Sequence, residues 1–412
     1  MLSIARLALV VGAAVGALAV PTTNLPSVAS QEGRIIPGKW IVSLKPGLAK
    51  REIDDHLGWV DVLHKRSLSR RDSVGIERTF SIGKFQAYVG ELDDDIVAEI
   101  GAKAEVAAVE PDREATLLGL IEMDDEPWGL GSISSRTQME TTDIDHQTYV
   151  YDDSAGAGTF AYMLDTGIRI THEGFEGRAI RGYNVWPEVP FDDDMGHGTH
   201  TAGTVGSARF GVAKKCTIID VKTARSVYST AAKMIEALEW VGQNATGIEG
   251  RAAKSVVSMS LAVPTSEALN AAVAALTDLG VLVVVGAGND GKDASTRSPA
   301  SAPEALTVGA IAINNTKPDW SNFGPLVDVF APGVEVRSTS IYQDGTELLS
   351  GTSMSTPHVA GLALYLKGLE GAALDAPAAI AARIKELATE GAIVDPGTGS
   401  PNLVAYNGNG RR

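Results

Sequence analysis

Residues 160–167 read Phe-Ala-Tyr-Met-Leu-Asp-Thr-Gly, five apolar side chains followed by a carboxylate and a glycine. A near-continuous apolar run of this length is typical of a β-strand that is buried on both faces. Three more runs of this kind occur at residues 217–221, 256–261 and 281–285. The first run therefore predicts a central strand of a parallel sheet, with Asp165 at its carboxyl end.

Two helical segments lie between these strands. Residues 230–241 and 266–279 carry apolar side chains at helical spacing, and they begin with Thr230 and Ser266, residue types that cap helix N-termini. Strands that alternate with such helices predict the doubly wound α/β fold class, a mostly parallel sheet with helices on both faces. Functional sites in this class lie at the carboxyl ends of the strands.

A smaller α+β unit is predicted ahead of this region. Its candidate strands are residues 40–44, 87–92 and 106–110, and residues 94–101 have a helical pattern. A polar stretch separates the first two strands and carries a basic cluster at Lys65, Arg66, Arg70 and Arg71. That cluster indicates a solvated loop, with a processing site as the alternative interpretation.

The N-terminus has the pattern of a secretory signal peptide. Arg6 precedes an apolar run over residues 7–20, and Ala17 and Ala19 supply small residues at the cleavage-site spacing. This run is shorter than the roughly 20 apolar residues that a membrane-spanning helix needs. We therefore expect residues 1–19 to be removed and the remainder to be secreted, without a membrane anchor.

The composition is that of a globular protein. Of the 412 residues, 44% are hydrophobic and 21% are charged, as proteins with buried cores require. The formal net charge of −16 argues against a nucleic acid as the partner, because phosphate binding relies on clustered Lys and Arg. The single cysteine, Cys216, cannot form an intrachain disulfide and indicates an inert core thiol. Sequons at Asn244 and Asn314 would be usable in a eukaryotic secretory route.

Three polar positions are candidates for chemistry. Asp165 ends a predicted strand, although Asp-Thr-Gly is also a turn signal and occurs in aspartic proteases, which need a second copy that is not present here. His197 lies between two glycines that let the backbone pack close to its imidazole. Ser353 lies at the start of a predicted helix, where the helix dipole favours developing negative charge; a simple helix cap is the alternative.

A metal site is a weaker interpretation of the histidines. His197 and His200 are three residues apart, whereas the helices of zinc metallopeptidases space two histidines four apart with a glutamate between them. This difference favours a structural role for His200.

Taken together, the three motifs resemble those of the subtilase family, and most closely the secreted fungal proteinase K group. The chain order Asp165, His197, Ser353 is the order of subtilisin and differs from the orders in chymotrypsin and the α/β-hydrolases. The resemblance covers residues 126–407. Besides the three motifs, shorter segments within this range also match, at 126–130, 210–215, 286–289 and 298–301.

The resemblance implies a serine endopeptidase. Ser353 would be the nucleophile, His197 the general base and acid, and Asp165 the residue that orients the imidazole. Asn289 would donate its side-chain amide to the tetrahedral intermediate, together with the backbone N–H of Ser353. The same resemblance implies no cofactor for catalysis and a protein or peptide substrate, and a monomer is the default expectation.

The resemblance also implies a substrate that binds as an extended strand between residues 258–264 and 223–228. The residues it assigns to substrate binding are Ser260, Leu261, Ala262, Gly286, Ala287, Gly288 and Arg297. Residues 262–264 depart from the usual glycine run, and Pro264 lacks a backbone donor. Arg297 falls at the base of the primary specificity pocket, which predicts tolerance for acidic side chains; a guanidinium turned to solvent is the alternative.

Two further expectations come from the resemblance. Residues 20–120 resemble an inhibitory propeptide of the I9 type, a small ferredoxin-like domain, and self-cleavage near Leu120 would leave residues 121–412 as the catalytic domain. A structural calcium would be held by the backbone carbonyls of Pro303 and Ala305 and the carboxylate of Asp328, since oxygen ligands suit calcium.

Three other functions compete with this interpretation. A catalytically silent binding protein would keep the same fold, but the four residues of the chemistry are present. An esterase or lipase would need the second glycine of the nucleophile elbow and a different chain order. A processing protease specific for dibasic sites would carry an additional β domain after residue 407.

Overall fold

The computed structural model describes residues 35–66, 75–113, 119–139, 143–342 and 345–410. The described residues form two compact units, one that ends at Arg113 and one that begins at Gly119. Three predictions lie outside them: the signal peptide at residues 1–19, the basic residues Arg70 and Arg71, and most of the segment before the expected cleavage site, residues 116–118.

The first unit is an antiparallel sheet with two helices. Its sheet has the strand order β2-β3-β1-β4. The core contains Val42, Val60, Tyr88 and Ile100, each fully buried. The elements in chain order are β1 (Ile35–Leu44), α1 (Lys50–Arg66), β2 (Ile76–Ile82), β3 (Phe85–Glu91), α2 (Asp94–Gly101) and β4 (Val106–Arg113).

The part of the basic cluster that the structure describes, Lys65 and Arg66, is helical and not a loop. Helix α1 contains Lys65 and Arg66, and strand β2 follows it. Ile53, Leu57 and Val60 recur at helical spacing and pack into the core of the unit, but only this narrow stripe is apolar. For Lys65 and Arg66 the loop prediction was wrong, because α1 carries more charged side chains on its other faces than apolar side chains on this stripe.

The second unit is larger and contains most of the chain. Its elements are β5 (Leu120–Glu126), α3 (Trp128–Ser134), β6 (Gln147–Asp152), β7 (Phe160–Asp165), β8 (Ala179–Asn184), α4 (His197–Gly206), β9 (Thr217–Lys222), α5 (Ala231–Thr246), β10 (Ser255–Met259), β11 (Val263–Pro264), α6 (Glu267–Asp278), β12 (Leu282–Gly286), β13 (Arg297–Ser298), β14 (Leu306–Ile311), β15 (Val329–Pro332), β16 (Val336–Thr339), β17 (Thr346–Leu349), α7 (Thr352–Glu370), α8 (Pro377–Leu387), β18 (Thr389–Glu390) and β19 (Leu403–Val404).

A nine-stranded sheet organises this unit, and its strand order is β18-β19-β15-β14-β12-β10-β7-β9-β8. Every neighbouring pair from β19 to β8 is parallel, and only β18 is antiparallel to its neighbour. The four predicted apolar runs are the adjacent strands β9, β7, β10 and β12. Their carboxyl ends therefore share one edge of the sheet.

Helices cover both faces of the sheet. Along β7, Met163 packs into the core on the side of α4 and α7, whereas Tyr162 and Leu164 pack on the side of α5 and α6. This alternation follows from the two-residue repeat of a strand. The doubly wound α/β prediction is confirmed.

The predicted helix caps are present. The Thr230 hydroxyl accepts a hydrogen bond from the backbone N–H of Lys233, and Ser266 caps α6 in the same way through Leu269. The predicted strand at 256–261 is shorter than expected, because β10 ends at Met259 and the chain then enters the short strand β11. In the portion of the chain that the structure covers, no helix is long and apolar enough to span a membrane.

Candidate active site

Asp165 and His197 are directly hydrogen-bonded. Asp165 is the last residue of β7 and is buried, and His197 is the first residue of α4, with 20% of its side chain exposed. The Nδ1 atom of His197 lies 2.7 Å from the Oδ1 atom of Asp165. A carboxylate can only accept, so Nδ1 donates and the neutral imidazole has Nε2 free to accept a proton.

The glycines around His197 are needed for this contact. Gly196 has a φ of 97°, which other residues rarely adopt. A side chain at Gly198 would overlap the carbonyl oxygen of Gly167, two residues after Asp165. The backbone of α4 therefore approaches the end of β7 more closely than any larger residue would permit.

Asp193 holds the start of α4, a role that the sequence did not reveal. Its Oδ1 accepts from the Thr166 hydroxyl at 2.8 Å and from the N–H of Gly196 at 2.8 Å, and its Oδ2 accepts from the N–H of Thr199 at 2.8 Å. A carboxylate at a helix N-terminus is stabilised by the helix dipole. Residues 192–194 are all Asp, so the sequence could not show which of the three holds the helix.

The surroundings of His197 change its basicity. Burial by itself lowers the pKa of an imidazole, but here the adjacent Asp165 carboxylate, its hydrogen bond and the charge of Asp193 outweigh burial and raise the pKa of His197 above its ordinary value. Asp165 is itself held in place, because its Oδ2 accepts from the Thr201 hydroxyl at 3.1 Å. The arrangement favours a positive charge on His197.

His200 has the opposite character. It is fully buried, and its Nε2 lies 3.0 Å from the carbonyl oxygen of Val336. Burial lowers the pKa of His200 to about 4, so the side chain is neutral near pH 7. No group of three His, Cys, Asp or Glu side chains arranged for a metal occurs in the described ranges.

Ser353 is the second residue of α7 and is half-buried. Its carbonyl oxygen accepts from the Ser260 hydroxyl at 2.9 Å, which ties the helix start to the residue after β10. Helix α7 also packs against α4, which begins with His197. Among the hydrogen bonds of the described residues, none joins the Ser353 hydroxyl to His197.

Asn289 is exposed, three residues after the end of β12. Its Oδ1 accepts from the backbone N–H of Thr352 at 2.9 Å and from the hydroxyl of the same residue at 2.9 Å. A backbone N–H cannot accept, so this contact identifies the oxygen of the amide and turns the Nδ2 donor away from Thr352. The amide is thereby fixed next to Ser353.

Asn322 fixes the turn that carries Asn289 and was not identified from the sequence. Its Nδ2 donates to the carbonyl oxygen of Ala287 at 2.9 Å, and its Oδ1 accepts from the N–H groups of Asp290 and Lys292 at 3.0 Å. The side chain thus bridges three backbone groups of one turn. An asparagine in a loop 33 positions away carries no local signal of this role.

The segments predicted to bind substrate flank Asn289 and Ser353. Leu261 is half-buried and Ala262 is exposed, whereas the Ala287 side chain lies in the core, so only the backbone of Ala287 can face a ligand. On the opposite side, the N–H groups of Thr223 and Ala224 donate to the carbonyl oxygen of Asp165. The 223–228 loop is therefore attached to the carboxyl end of β7.

Arg297 has a partner that the sequence did not suggest. Its Nε lies 2.6 Å from the Oδ2 of Asp290 and its terminal nitrogen lies 2.5 Å from the same oxygen. The guanidinium is thus neither unpaired nor simply turned to solvent.

The carboxylate expected to bind calcium already has partners in the chain. The Oδ2 of Asp328 accepts from the N–H of Thr307 at 2.9 Å, and its Oδ1 lies 3.1 Å from the Nζ of Lys385. Two carbonyls and a carboxylate are the hard oxygen donors that calcium prefers, so the donor set fits the ion. A calcium would have to displace the Lys385 ammonium, whose side chain is 43% exposed.

Comparison with known proteins shows the family of the chain. Residues 156–407 match the subtilase family, and residues 39–118 match peptidase inhibitor I9. The chain is 44% identical to alkaline protease 1 of Aspergillus flavus, over 99% of this chain and all of that protein. It is 45% identical to the subtilisin-like proteinase Mp1 of Magnaporthiopsis poae, over 99% of both.

A solved structure is also similar. A cold-adapted subtilisin-like serine proteinase matches with a TM-score of 0.61 and 35% identity, over 69% of this chain and 98% of that one. Since the family match covers more than half of the chain and the relatives match nearly all of it, the chain belongs to the subtilase family of serine endopeptidases, with an I9 inhibitor domain ahead of its catalytic domain.

Proposed function

We propose that the chain is a secreted precursor that cleaves itself and then hydrolyses peptide bonds, with Ser353 as nucleophile, His197 as base and acid, and Asp165 and Asn289 in support. The observation that carries the proposal is the 2.7 Å hydrogen bond between Asp165 and Nδ1 of His197. This bond leaves Nε2 of His197 as the proton acceptor. It acts at the edge of the sheet where β12 ends, and Asn289 follows β12 in the chain.

The first step forms a covalent acyl-enzyme. The Ser353 Oγ attacks the substrate carbonyl carbon while Nε2 of His197 takes the hydroxyl proton. The C–N bond then breaks and His197 returns the proton to the leaving amine. A water molecule attacks the ester by the same route and restores the Ser353 hydroxyl.

The negative oxygen of the tetrahedral intermediate needs donors that are already oriented. The Nδ2 of Asn289 and the backbone N–H of Ser353 are proposed to supply them. Support comes from Thr352, which holds the amide oxygen of Asn289 through two hydrogen bonds. Because the amide cannot rotate freely, little reorganisation is required as charge develops.

The I9 match over residues 39–118 supports an intramolecular inhibitor. We propose the boundaries 1–19 for the signal peptide, 20–120 for the propeptide and 121–412 for the catalytic domain. Relatives named alkaline protease support action on proteins at alkaline pH. Secretion into the extracellular medium and a monomeric state belong to the same proposal.

A structural calcium remains part of the proposal. Pro303 and Ala305 would supply carbonyl oxygens and Asp328 its carboxylate, and the ion would contribute stability rather than chemistry. Lys385 competes for the same carboxylate.

The proposal is tested by secretion of the wild-type chain and of Ser353→Ala, with intact mass and hydrolysis of a generic peptide as readouts. Ser295→Ala is the matched control, because Ser295 is exposed and distant in sequence from the proposed triad. Wild type and the control should lose about 100 residues beyond the signal peptide and should cleave peptide, whereas Ser353→Ala should do neither. Full-length, inert wild type would instead support a catalytically silent subtilase fold.

A further inference from the structure

An ion pair lies directly beside Asn289. Asp290 follows Asn289 in the chain, and its Oδ2 contacts both Nε and a terminal nitrogen of Arg297, at 2.6 and 2.5 Å. The two side chains are 32% and 29% exposed, so solvent screens the pair only in part. Charge-assisted contacts of this kind are stronger than neutral hydrogen bonds. In the described ranges, Asp290 is the one carboxylate within ion-pair distance of Arg297.

Arg297 connects the two segments that flank the reacting position. Its backbone pairs with Pro264 between β13 and β11. Its Cγ lies 3.3 Å from the point where a Cβ on Gly288 would stand. Arg297 therefore joins the 260–264 segment, which its backbone pairs with, to the turn that carries Asn289, which its side chain contacts.

The location matters because the substrate carbonyl has to reach both Asn289 and Ser353. With the substrate strand along residues 258–264, as the resemblance to the family implies, the side chain of the residue that owns this carbonyl lies next to Gly288 and residues 260–264. Arg297 contacts both of these segments, through its Cγ at Gly288 and its backbone at Pro264. Its charge is already compensated by Asp290.

We propose that Asp290 determines specificity by neutralising Arg297, so that the primary pocket accepts neutral side chains and discriminates against Glu and Asp. The inference rests on the proposed roles of Asn289 and Ser353. An acidic substrate side chain has to compete with Asp290 for the guanidinium and is repelled by the carboxylate that it displaces. Without the carboxylate at position 290, Arg297 becomes a free cation that binds acidic side chains.

The test uses peptides that differ only in the residue before the scissile bond: Leu, Gln or Glu. Gln has nearly the shape of Glu without its charge, so the ratio of kcat/KM for Glu to that for Gln isolates the charge effect. Wild type should prefer Gln over Glu. Asp290→Asn should raise the Glu/Gln ratio by about tenfold or more, and adding Arg297→Gln should abolish the gain.

Asp293→Asn is the matched control, because it removes one charge from the same loop and Asp293 caps Ser295 rather than Arg297. Its Glu/Gln ratio should equal that of wild type. An unchanged ratio in Asp290→Asn, or an equal rise in Asp293→Asn, overturns the inference. If Asp290→Asn does not fold, Asp290→Ala carries the same expectation.

Failure of the proposed function has a different signature. In that case wild type cleaves none of the three peptides, Leu included. Cleavage of the Leu peptide together with a wild-type Glu/Gln ratio above one would contradict only the role of Asp290.

Discussion

The buried ammonium of Lys222 donates a hydrogen bond to the carbonyl oxygen of Thr166, the residue directly after Asp165. It also donates to the carbonyl oxygen of Asp192 at 2.9 Å. Lys222 lies opposite Asp165 in the pairing of β9 with β7. One side chain therefore joins the strand end that carries Asp165 to the loop that leads into His197.

Replacing Lys222 by Met should destabilise the protein, because the two carbonyl oxygens lose their donor and Asp194 loses its ion-pair partner at 3.2 Å, while the side-chain volume is kept. We expect a loss of about 1–3 kcal/mol in the free energy of unfolding, measured by urea denaturation in the Ser353→Ala background. Lys215→Met is the control, since its ion pair with Asp153 is exposed and should contribute at most about 1 kcal/mol. Equal losses in both variants would contradict the buried role of Lys222.

The pH dependence of kcat/KM should report the raised pKa of His197. Only neutral imidazole can accept the Ser353 proton, so activity should rise with pH, and a raised pKa moves the half-maximal point above the ordinary value of about 6.5. Asp165→Asn should move this point to lower pH and reduce kcat by about 10⁴. A wild-type midpoint at or below 6.5 would contradict the argument.

Asn289→Ala should reduce kcat by about 10²–10³ with little change in KM, the range measured for loss of one oxyanion donor. The KM is spared because the amide acts on charge that exists only in the transition state. Thr352→Val provides a graded comparison: it removes one of the two hydrogen bonds to the Asn289 oxygen but keeps the backbone N–H, so its loss of kcat should be smaller. Steady-state kinetics on one peptide shows whether Asn289→Ala loses more kcat than Thr352→Val.

Asp220 should make stability fall as pH rises. Burial raises the pKa of Asp220 to about 7, against the opposing effect of Arg181, whereas an unfolded Asp titrates near 3.9. Between these values the folded chain binds more protons than the unfolded chain, so the free energy of unfolding decreases with pH.

The Asp220→Asn variant should lose this slope between about pH 4 and pH 7, measured by thermal unfolding at several pH values in the Ser353→Ala background. Asp192→Asn should retain it, because Asp192 contacts the same Arg181 but is 62% exposed. If stability changes with pH in the same way in wild type and in Asp220→Asn, the buried carboxylate is not the source of the pH dependence.

Calcium should raise the melting temperature of the protein, and Lys385→Met should enlarge that increase. The reason is competition, since the Lys385 ammonium lies 3.1 Å from the Oδ1 of Asp328, and removal of a competitor strengthens binding. Asp328→Asn should abolish the response. A flat calcium titration in both wild type and Lys385→Met would remove the proposed site.

Much of the second unit could be predicted from local pattern. The apolar runs at 160–164 and 281–285 are central strands, and Thr230 and Ser266 cap the helices that they were expected to cap. These strands and caps depend on residues that are close in the chain, so the local sequence is enough to predict them. Helix α1 could not be predicted, because its apolar stripe is narrow and is recognised only when packed against the sheet of its unit.

In the candidate active site, too, some features could be predicted from the local sequence and others could not. The order and spacing of Asp165, His197, Asn289 and Ser353 led to the family from the sequence alone, because each lies in a short motif whose glycines and polar residues are consecutive. The groups that hold these segments in place come from other parts of the chain: Asp193 and Lys222 bind Thr166, the residue after Asp165, and Asn322 binds the backbone of the turn that carries Asn289. No local pattern identifies groups that meet only after folding.

The sequence by itself determined the fold class, the family and the candidate residues for catalysis, since these follow from periodicity and from contiguous motifs. Only the tertiary structure decided which charges are paired. The sequence shows Arg297 without a partner, and the fold pairs it with Asp290. The sequence shows Asp328 only as a candidate calcium ligand, and the fold adds an ion pair with Lys385. Electrostatic interaction depends on separation in space, which chain spacing does not determine beyond a few residues.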